Sequence, residues 1–271
     1  MKTFVIAELG INHDGDIIRA HDLIATAKEC GCNAVKLQTY TLGERTNPGD
    51  KNYELFKRCC LTFDQQAELF DYAKEADIEC FSTPFGEESL KFLIEDIGIR
   101  RIKISSFDIT NLKFLKAVNE YGKKYYDLKV IMSTGMSNAQ EIQQALDCFV
   151  NVPCLTLLHC VSAYPTSEKE VNLSAIRTLK HMVSGERQVG YSDHTDNIFV
   201  PAAAILVGAT TIEKHFILDK NGPGVDAPVS ADPKMMKDMI KLIETYESFL
   251  GNGELSLRDI EKPTVVFRRK S

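Results

Sequence analysis

Eight short runs of β-type sequence are spread along the chain, and each run ends in polar residues that can bind or react. The run ends are Glu8, Lys36 and Gln38, Ser82 and Thr83, Lys103 with Ser105 and Ser106, Ser133 and Thr134, His159 and Ser162, Ser192 with Asp193 and His194, and Glu213 with Lys214 and His215. Helix-type sequence separates the runs, so strands and helices alternate. In a (β/α)8 barrel the carboxyl ends of all strands open onto one face, which carries the active site. The pattern therefore predicts an α/β fold of the (β/α)8, or TIM-barrel, class.

Length and composition fit this fold and exclude several classes of protein. The chain has 271 residues, which suits one barrel, and its net charge of −6 argues against a nucleic-acid partner. No apolar run reaches membrane-spanning length, and Met1 is followed at once by a strand, so we expect neither a membrane segment nor a signal peptide. Eight cysteines without a C-x-x-C pair indicate reduced thiols and a cytoplasmic protein.

The alternating pattern also predicts how the chain is divided. We expect residues 1–250 to form the catalytic barrel and residues 251–271 to form a C-terminal tail or linker remnant, because the pattern ends near Gly251. Residues 41–52 are a polar stretch with Pro48 and Gly49. This stretch is longer than an ordinary connection, which favours a substrate-binding loop.

Two histidines fall at the ends of neighbouring strands. His194 ends the seventh run and His215 ends the eighth. Imidazoles on adjacent strand ends can share one metal ion, with Glu8 or Asp193 nearby and open positions left for a substrate. The alternative is that each is a hydrogen-bonded structural histidine, but the pair at two strand ends favours a metal site.

Three lysines are predicted on strands, where lysine is rarely buried without a partner. Facing inward together, Lys36 and Lys103 would form a pocket for an anion such as a phosphate or a carboxylate. Lys214 would point away if its neighbours on the strand point in. A barrel lysine could instead be a Schiff-base nucleophile, if burial lowers its pKa. Hydroxyl groups that would surround the pocket are those of Thr83, Ser106, Ser133, Ser162 and Ser192.

Four acidic residues are candidates for the same site. Glu8 and Glu213 lie within strand ends, and Asp226 lies in a glycine- and proline-rich loop, residues 222–228, that could reach over the barrel. For Asp193, a helix N-cap or a residue that orients a histidine is an equally good interpretation.

Motifs in these regions resemble the sialic acid synthase family, the phosphoenolpyruvate-condensing enzymes that make nonulosonic acids. The resemblance covers about residues 3–250, and the motifs occur in register along that length. They are Ile6–Gly15, Val35–Gln38, Ser82–Phe85, Lys103–Ser106, Met132–Met136, Leu158–Thr166, Gly190–Thr195 and Ile212–Phe216.

The resemblance implies a reaction and a set of roles. Phosphoenolpyruvate would condense with the open-chain aldehyde of an N-acetylated amino sugar, either N-acetylmannosamine or a diacetamido sugar. Manganese or magnesium would be bound by His194 and His215, and Glu8 or Asp226 would move protons. Phosphoenolpyruvate would be held by Lys36, Thr83, Lys103, Ser106, Ser133, Ser162 and Ser192. The sugar would meet Gln38, Tyr164, Glu213 and Asp226.

The resemblance further implies partners for the barrel. Members of the family usually continue into a small antifreeze-like domain, and this sequence stops about where a linker to it would begin. We expect that this domain is on a separate chain, that it was removed from this sequence, or that the protein functions without it. The resemblance also suggests a homodimer. Two other functions remain open: a Schiff-base aldolase on a related sugar acid, and a non-catalytic barrel that needs a separate capping chain.

Overall fold

The computed structural model describes residues 2–222 and 224–269. Within them, parallel strands close into a barrel in chain order, and the last strand pairs with the first. This arrangement confirms the predicted (β/α)8 fold. The strands are β1 (Phe4–Gly10), β2 (Ala34–Thr39), β3 (Glu79–Pro84), β4 (Arg101–Ile104), β5 (Lys129–Ser133), β6 (Leu155–His159), β7 (Gln188–Asp193) and β8 (Thr211–His215).

Helices connect the strands and cover the outside of the barrel. They are α1 (Ile17–Glu29), α2 (Leu42–Arg45), α3 (Tyr53–Cys59), α4 (Phe63–Glu75), α5 (Glu87–Lys91), α6 (Leu112–Lys124), α7 (Ala139–Asp147), α8 (Ala175–Met182), α9 (Phe199–Ala204) and α10 (Pro233–Leu250). A π-helical turn, Phe92–Asp96, continues α5. The short helix α2 lies inside the predicted substrate loop, residues 41–52. None of the helices in the two described ranges is long and apolar enough to cross a membrane.

An apolar layer lies below a polar one inside the barrel. The lower interior is filled by five buried side chains, called the apolar floor here: Ile6, Ala34, Phe81, Ile131 and Leu158. Side chains on a strand return to the same face every second residue. The residues two positions beyond the first four floor residues therefore also face inward, at the open end of the barrel, and they are Glu8, Lys36, Thr83 and Ser133.

The larger core lies between the outer face of the strands and the helices. Leu23 and Ile24 of α1, for example, are fully buried beside Val35 and Leu37, which point outward from β2. Burial of such side chains contributes roughly 1.5–3 kcal/mol each. Because this outer core stabilises the fold, the polar residues inside the barrel are available to form a functional site.

The segment after α10 packs loosely. Residues 251–269 are mostly exposed and include 3-10 turns at Asp259–Phe267. Leu255, Ile260 and Phe267 all expose more than three quarters of their surface (106%, 87% and 80%). The division into a barrel and a tail at residue 250 stays a prediction, and the last two residues, Lys270 and Ser271, lie outside the described residues.

Candidate active site at the carboxyl ends of the strands

A cavity of about 500 Å³ opens at the carboxyl ends of the strands, and part of it is open to solvent. It is called the mouth below. Most of the polar residues predicted for the site line it. The lining residues are Glu8, Lys36, Gln38, Arg45, Thr83, Phe85, Lys103, Ser105, Ser106, Phe107, Ser133, Cys160, Tyr164, Ser192, His194, Glu213 and His215.

Two lysines and two carboxylates meet at the bottom of the mouth and form the mouth cluster: Lys36, Lys103, Glu8 and Glu213. Nζ of Lys36 lies 2.7 Å from Oε2 of Glu8 and 3.6 Å from Oε2 of Glu213. Nζ of Lys103 lies 3.8 Å from Oε1 of Glu213. All four side chains are buried. The predicted inward orientation of Lys36 and Lys103 is therefore found, and carboxylates accompany both.

Burial and mutual attraction shift the pKa values of the mouth cluster in different directions. Burial would raise the pKa of Glu213, but the ammonium groups of Lys103 and Lys36 outweigh it and hold the pKa below its usual range. Burial raises the pKa of Glu8, and Lys36 offsets this only in part. The pKa of Lys103 is lowered, chiefly by burial, whereas the carboxylates of Glu213 and Glu8 raise that of Lys36. Glu213 is the firm anion of the cluster, and Glu8 is the group that more readily keeps a proton.

Hydroxyl groups contact the cluster from neighbouring strands. Nζ of Lys36 donates to Oγ1 of Thr83 at 3.3 Å, and Nζ of Lys103 donates to Oγ of Ser133 at 2.6 Å. Oγ of Ser192 donates to Oε1 of Glu213 at 2.8 Å. The predicted hydroxyls on β3, β5 and β7 therefore lie around the mouth cluster, and each hydroxyl contacts a charged group of the cluster.

The remaining predicted hydroxyls, those of Ser106 and Ser162, lie around Gly135. Oγ of Ser106 accepts a hydrogen bond from the backbone N–H of Gly135 at 3.1 Å. A Cβ on Gly135 would come within 2.3 Å of Oγ of Ser162 and 2.8 Å of Oγ of Ser106. The glycine is needed for this close approach. Ser106 lines the mouth, whereas Ser162 is not among the lining residues and lies beside it.

The two predicted metal ligands lie on the opposite side of the mouth. The ring centroids of His194 and His215 are 5.5 Å apart, and the ring of Tyr164 lies 4.2 Å from that of His194 at an angle of 36°. Nδ1 of His194 is 2.7 Å from the carbonyl oxygen of Val161. Because a carbonyl only accepts, Nδ1 carries the proton and Nε2 keeps a free lone pair. Burial, helped by His215, lowers the pKa of His194 to about 3, so this ring is neutral at physiological pH.

Asp226 reaches the mouth from the loop after β8. Its Oδ2 lies 3.3 Å from Nδ1 of His215, and this carboxylate raises the pKa of His215 against the effect of burial. At Gly10, where φ is +53°, an added Cβ would lie 3.2 Å from Glu8, 3.3 Å from Asp226 and 3.4 Å from Gln38. The carboxylates of Glu8 and Asp226 and the amide of Gln38 thus converge above β1, as the motifs implied.

One residue that holds this loop was not predicted. The backbone N–H of Asp226 donates to Oδ1 of Asn12 at 3.1 Å, and Nδ2 of Asn12 donates to the carbonyl oxygen of Phe216 and to Oγ of Ser230, both at 2.9 Å. Asn12 is fully buried. It belongs to the Ile6–Gly15 motif, but only the fold shows that it fixes Asp226. Pro223 in the same loop lies outside the described residues.

Asp193 and Lys214 do not belong to the mouth. Nζ of Lys214 lies 2.5 Å from Oδ2 of Asp193, and both side chains are completely buried. They leave β7 and β8 toward the helices, because Lys214 lies between the inward-facing Glu213 and His215 on the strand. The interpretations of Asp193 as a helix N-cap, as a residue that orients a histidine, or as part of a metal site are therefore wrong, and the expectation that Lys214 points away is correct.

Four residues that line the mouth were not predicted as site residues, namely Arg45, Cys160, Phe85 and Phe107. Arg45 ends α2, inside the stretch predicted as a substrate loop. The unusual length of that stretch was the only signal for it.

A closed parallel barrel with buried lysines, carboxylates and paired histidines at its carboxyl end has the architecture of a TIM-barrel enzyme. The sequence profile of the NeuB family matches residues 23–255. The chain belongs to the NeuB family.

Individual relatives agree with this assignment. N,N'-diacetyllegionaminic acid synthase of Legionella pneumophila is 39% identical, over 100% of this chain and 80% of the relative. Pseudaminic acid synthase of Campylobacter jejuni is 34% identical, over 99% of this chain and 80% of the relative. The crystal structure of N-acetylneuraminic acid (sialic acid) synthetase from Leptospira borgpetersenii, in complex with citrate, superposes with a TM-score of 0.92 at 36% identity, covering 99% of this chain and 92% of that one.

Proposed function

We propose that the protein condenses phosphoenolpyruvate with the open-chain aldehyde of an N-acetylated amino sugar, N-acetylmannosamine or a diacetamido sugar, to give a nonulosonic acid and phosphate. It would be a phosphoenolpyruvate-dependent transferase of the N-acetylneuraminate synthase type. The observation that carries the proposal is the buried pair Lys36 and Lys103, ringed by hydroxyls and facing two histidines across one mouth. Relatives named as synthases of legionaminic and pseudaminic acids support it.

Phosphoenolpyruvate would contact the ends of β2 to β5, together with Ser162 after β6 and Ser192 on β7. Lys36 and Lys103 would neutralise its phosphate and carboxylate, and hydroxyls at the strand ends would donate to the oxyanions. The residues proposed for this role are Lys36, Thr83, Lys103, Ser106, Ser133, Ser162 and Ser192. Since most of these groups are fixed by hydrogen bonds before the substrate arrives, little reorganisation is needed on binding.

The sugar would lie above, against Gln38, Tyr164, Glu213 and Asp226. Carbon 3 of phosphoenolpyruvate forms the new bond to the aldehyde carbon, and the aldehyde oxygen takes a proton to become a hydroxyl. Water adds to carbon 2, loses a proton, and phosphate leaves with cleavage of the C–O bond. Glu8, with its raised pKa, is suited to hold the proton that the aldehyde oxygen receives, and Asp226 is suited to accept one from water.

Mn²⁺ or Mg²⁺ is proposed as the cofactor, with His194 and His215 as its protein ligands. The donor set fits a divalent cation, since His194 is neutral with a free Nε2 and the ring of His215 lies 5.5 Å from it, centroid to centroid. Among the described residues, no three histidine, cysteine or acidic side chains gather closely enough to bind a metal, so two protein ligands would leave positions for the substrate. When bound, such a cation supplies Lewis-acid polarisation of the aldehyde.

The test is release of inorganic phosphate from phosphoenolpyruvate, with and without Mn²⁺, across N-acetylmannosamine and the bacterial diacetamido sugars. Release that needs both one sugar and the metal is expected. With ¹⁸O in the bridging position, the label should appear in phosphate, because the C–O bond breaks. Binding of phosphoenolpyruvate without release by any sugar would overturn the proposal and favour the non-catalytic barrel.

A Schiff-base aldolase is the second candidate, and one observation favours it. Burial lowers the pKa of Lys103, which is the condition for a nucleophilic amine. Treatment with borohydride and a carbonyl substrate would trap an imine on Lys103 in that case, whereas the synthase forms none. A covalent adduct found by mass spectrometry at Lys103 would favour the aldolase.

We also propose a cytoplasmic location and a homodimer. All eight cysteines are free thiols, as expected in a reducing compartment. The dimer and a possible partner chain with an antifreeze-like domain rest on the resemblance to the family, and the mass of the purified protein in solution tests the dimer.

A further inference from the structure

Arg45 is a cation that the proposed reaction has not used. It lines the mouth, and its guanidinium carbon lies 4.1 Å from the ring centre of Phe56 and 4.3 Å from that of Phe85. The ring of Phe107, at 5.9 Å, closes a third side. Cation–π contacts of this kind contribute about 0.5–2 kcal/mol and hold the planar group in one orientation.

Among the residues that the structure describes, the guanidinium has no anionic partner. In the part of the chain that the structure describes, its buried Nε has no hydrogen-bond partner and the group joins no ion pair. The carboxylates of Asp108 and Asp226 influence its pKa only from beyond ion-pair distance, and burial lowers that pKa. A buried donor left without a partner costs roughly 1–3 kcal/mol, and more when it is charged. Such a group is typical of a site completed by a ligand.

A separate set of contacts fixes the turn that carries Arg45. Oε1 of Glu44 accepts hydrogen bonds from the backbone N–H groups of Glu88 and Ser89, at 2.9 and 3.1 Å, at the start of α5. Oε2 of Glu44 accepts from the N–H of Thr41 at 3.0 Å. The carboxylate occupies space that Gly86 leaves free, since a Cβ there would come within 2.1 Å of Oε1. Helix α2 is thus tied to the barrel on one side while Arg45 faces the mouth on the other.

The charges of the mouth indicate which of the two proposed substrates Arg45 would bind. Lys36 and Lys103 already face two carboxylates, Glu8 and Glu213. Phosphoenolpyruvate brings a carboxylate together with a phosphate, which carries about −1.5 to −2 at pH 7. Even with Glu8 protonated, the two lysines leave one positive charge beside Glu213, which is less than the negative charge of this ligand.

The position of Arg45 in the mouth also favours phosphoenolpyruvate. Phe85 follows β3 and Phe107 follows β4, so Arg45 lies on the side of the mouth that carries Thr83, Lys103 and Ser106. The paired histidines lie on β8 and at the end of β7, on the other side. We propose that Arg45 is a substrate-binding residue that donates to an oxyanion of phosphoenolpyruvate. This inference rests on the proposed function and adds a third cation to its anion pocket.

The test measures phosphoenolpyruvate binding by isothermal titration calorimetry in Arg45→Gln and Arg45→Met. Gln keeps a donor without charge, and Met fills the space between the rings with a flexible apolar chain. Arg177→Gln, an exposed change on α8, loses the same charge far from the mouth. Both Arg45 variants should bind phosphoenolpyruvate about 10–100-fold more weakly, the range for a hydrogen bond to a charged group. The control should match the wild type within about two-fold, and thermal unfolding shows that each variant is folded.

The KM of the accepted amino sugar, measured by phosphate release, separates the outcomes. A weakened affinity for phosphoenolpyruvate with a nearly unchanged KM for the sugar supports the inference. Affinities equal to that of Arg177→Gln overturn it, as does an effect confined to the sugar. If the wild type itself binds no phosphoenolpyruvate, the inference and the proposed function both fail, whereas normal turnover by the Arg45 variants removes only the inference.

Discussion

The mouth cluster and the pair Lys214 and Asp193 both consist of buried lysines and carboxylates on strands of one barrel. They differ in how completely their polar atoms are hydrogen-bonded. Nζ of Lys214 contacts Oδ2 of Asp193 and the carbonyl oxygen of Thr195, at 2.5 and 2.6 Å. Asp193 also accepts from the hydroxyls of Tyr191 and Thr195. In the mouth, Oε2 of Glu213 is buried without a hydrogen-bond partner among the described residues, and the nearest ammonium nitrogen, Nζ of Lys36, lies 3.6 Å away.

The difference separates a structural ion pair from a binding site. Lys214 and Asp193 satisfy each other and need no further partner, so they stabilise the fold. The mouth cluster combines ion pairs with an unsatisfied oxygen of Glu213 in a cavity, and such a site is completed by a ligand. Hydrogen-bond satisfaction therefore distinguishes the two more sharply than burial, which is nearly equal.

The largest effect is expected from Lys214→Met. It leaves Asp193 buried without a cation, and breaking a buried pair in this way costs about 3–5 kcal/mol. Urea unfolding measures the loss, with Lys116→Met, an exposed change on α6, as the control. A variant as stable as Lys116→Met would mean that the pair is not structural.

Lys36→Met should reverse the pattern, with activity falling far more than stability. Removing one electrostatic donor from a catalytic site typically lowers kcat by about 10²–10³-fold. The free energy of unfolding should fall less than in Lys214→Met, because Glu8, with its raised pKa, can take up a proton when Lys36 is lost. Phosphate release and urea unfolding are measured on the same preparations. Equal losses of unfolding free energy in Lys36→Met and Lys214→Met would mean that the mouth cluster stabilises the fold as much as the pair Lys214 and Asp193 does.

The buried His13 makes the stability of the protein depend on pH. Its Nδ1 accepts from the N–H of Gly15 at 3.0 Å, and burial lowers its pKa to about 4 from 6.5. Because the folded-state pKa is lowered, the stability that neutral His13 contributes is complete above pH 6.5 and is lost as the pH falls toward 4. The slope is at most about 1.4 kcal/mol per pH unit.

The variant His13→Gln keeps an acceptor and removes this titration. Its unfolding free energy should therefore fall less steeply between pH 6.5 and 4 than that of the wild type, and other buried histidines cancel in the difference. Parallel curves for the two proteins would show that His13 is not held neutral by the fold.

The smallest effect is expected from Ser192→Ala. The hydroxyl gives the carboxylate of Glu213 one hydrogen bond, and a hydrogen bond to a charged group contributes about 1.5–3 kcal/mol. The ratio kcat/KM should fall about 10–100-fold while Ser248→Ala, on the surface of α10, stays at the wild-type value. A loss no larger than that of Ser248→Ala would mean that Ser192 neither supports Glu213 nor contacts phosphoenolpyruvate.

The residues on strands could be predicted because a strand has a simple rule. Once Glu213 and His215 are taken to face inward, Lys214 must face outward, and the structure follows this rule. The same period of two places Lys36 above Ala34 and Thr83 above Phe81. The strand register and the closure of the barrel then bring these strand ends to one mouth.

The residues on loops could not be derived from the sequence in this way. Arg45 faces the mouth only because Glu44 contacts the start of α5, more than forty residues further along the chain. Asp226 reaches the mouth because Asn12 holds it across 214 residues. No local period or spacing encodes contacts of this range. Asp226 was named because its glycine- and proline-rich loop could reach over the barrel, and the resemblance to a family supplied its role, whereas Arg45 was not named at all.

The apolar floor also shapes the electric field of the mouth. Ile6, Ala34, Phe81, Ile131 and Leu158 place a layer of low polarisability directly beneath the charged groups. Charge above such a layer is poorly screened from below, so its field lines are directed outward through the opening. Five hydrocarbon side chains that touch no ligand thereby strengthen the attraction between the mouth and an approaching anion.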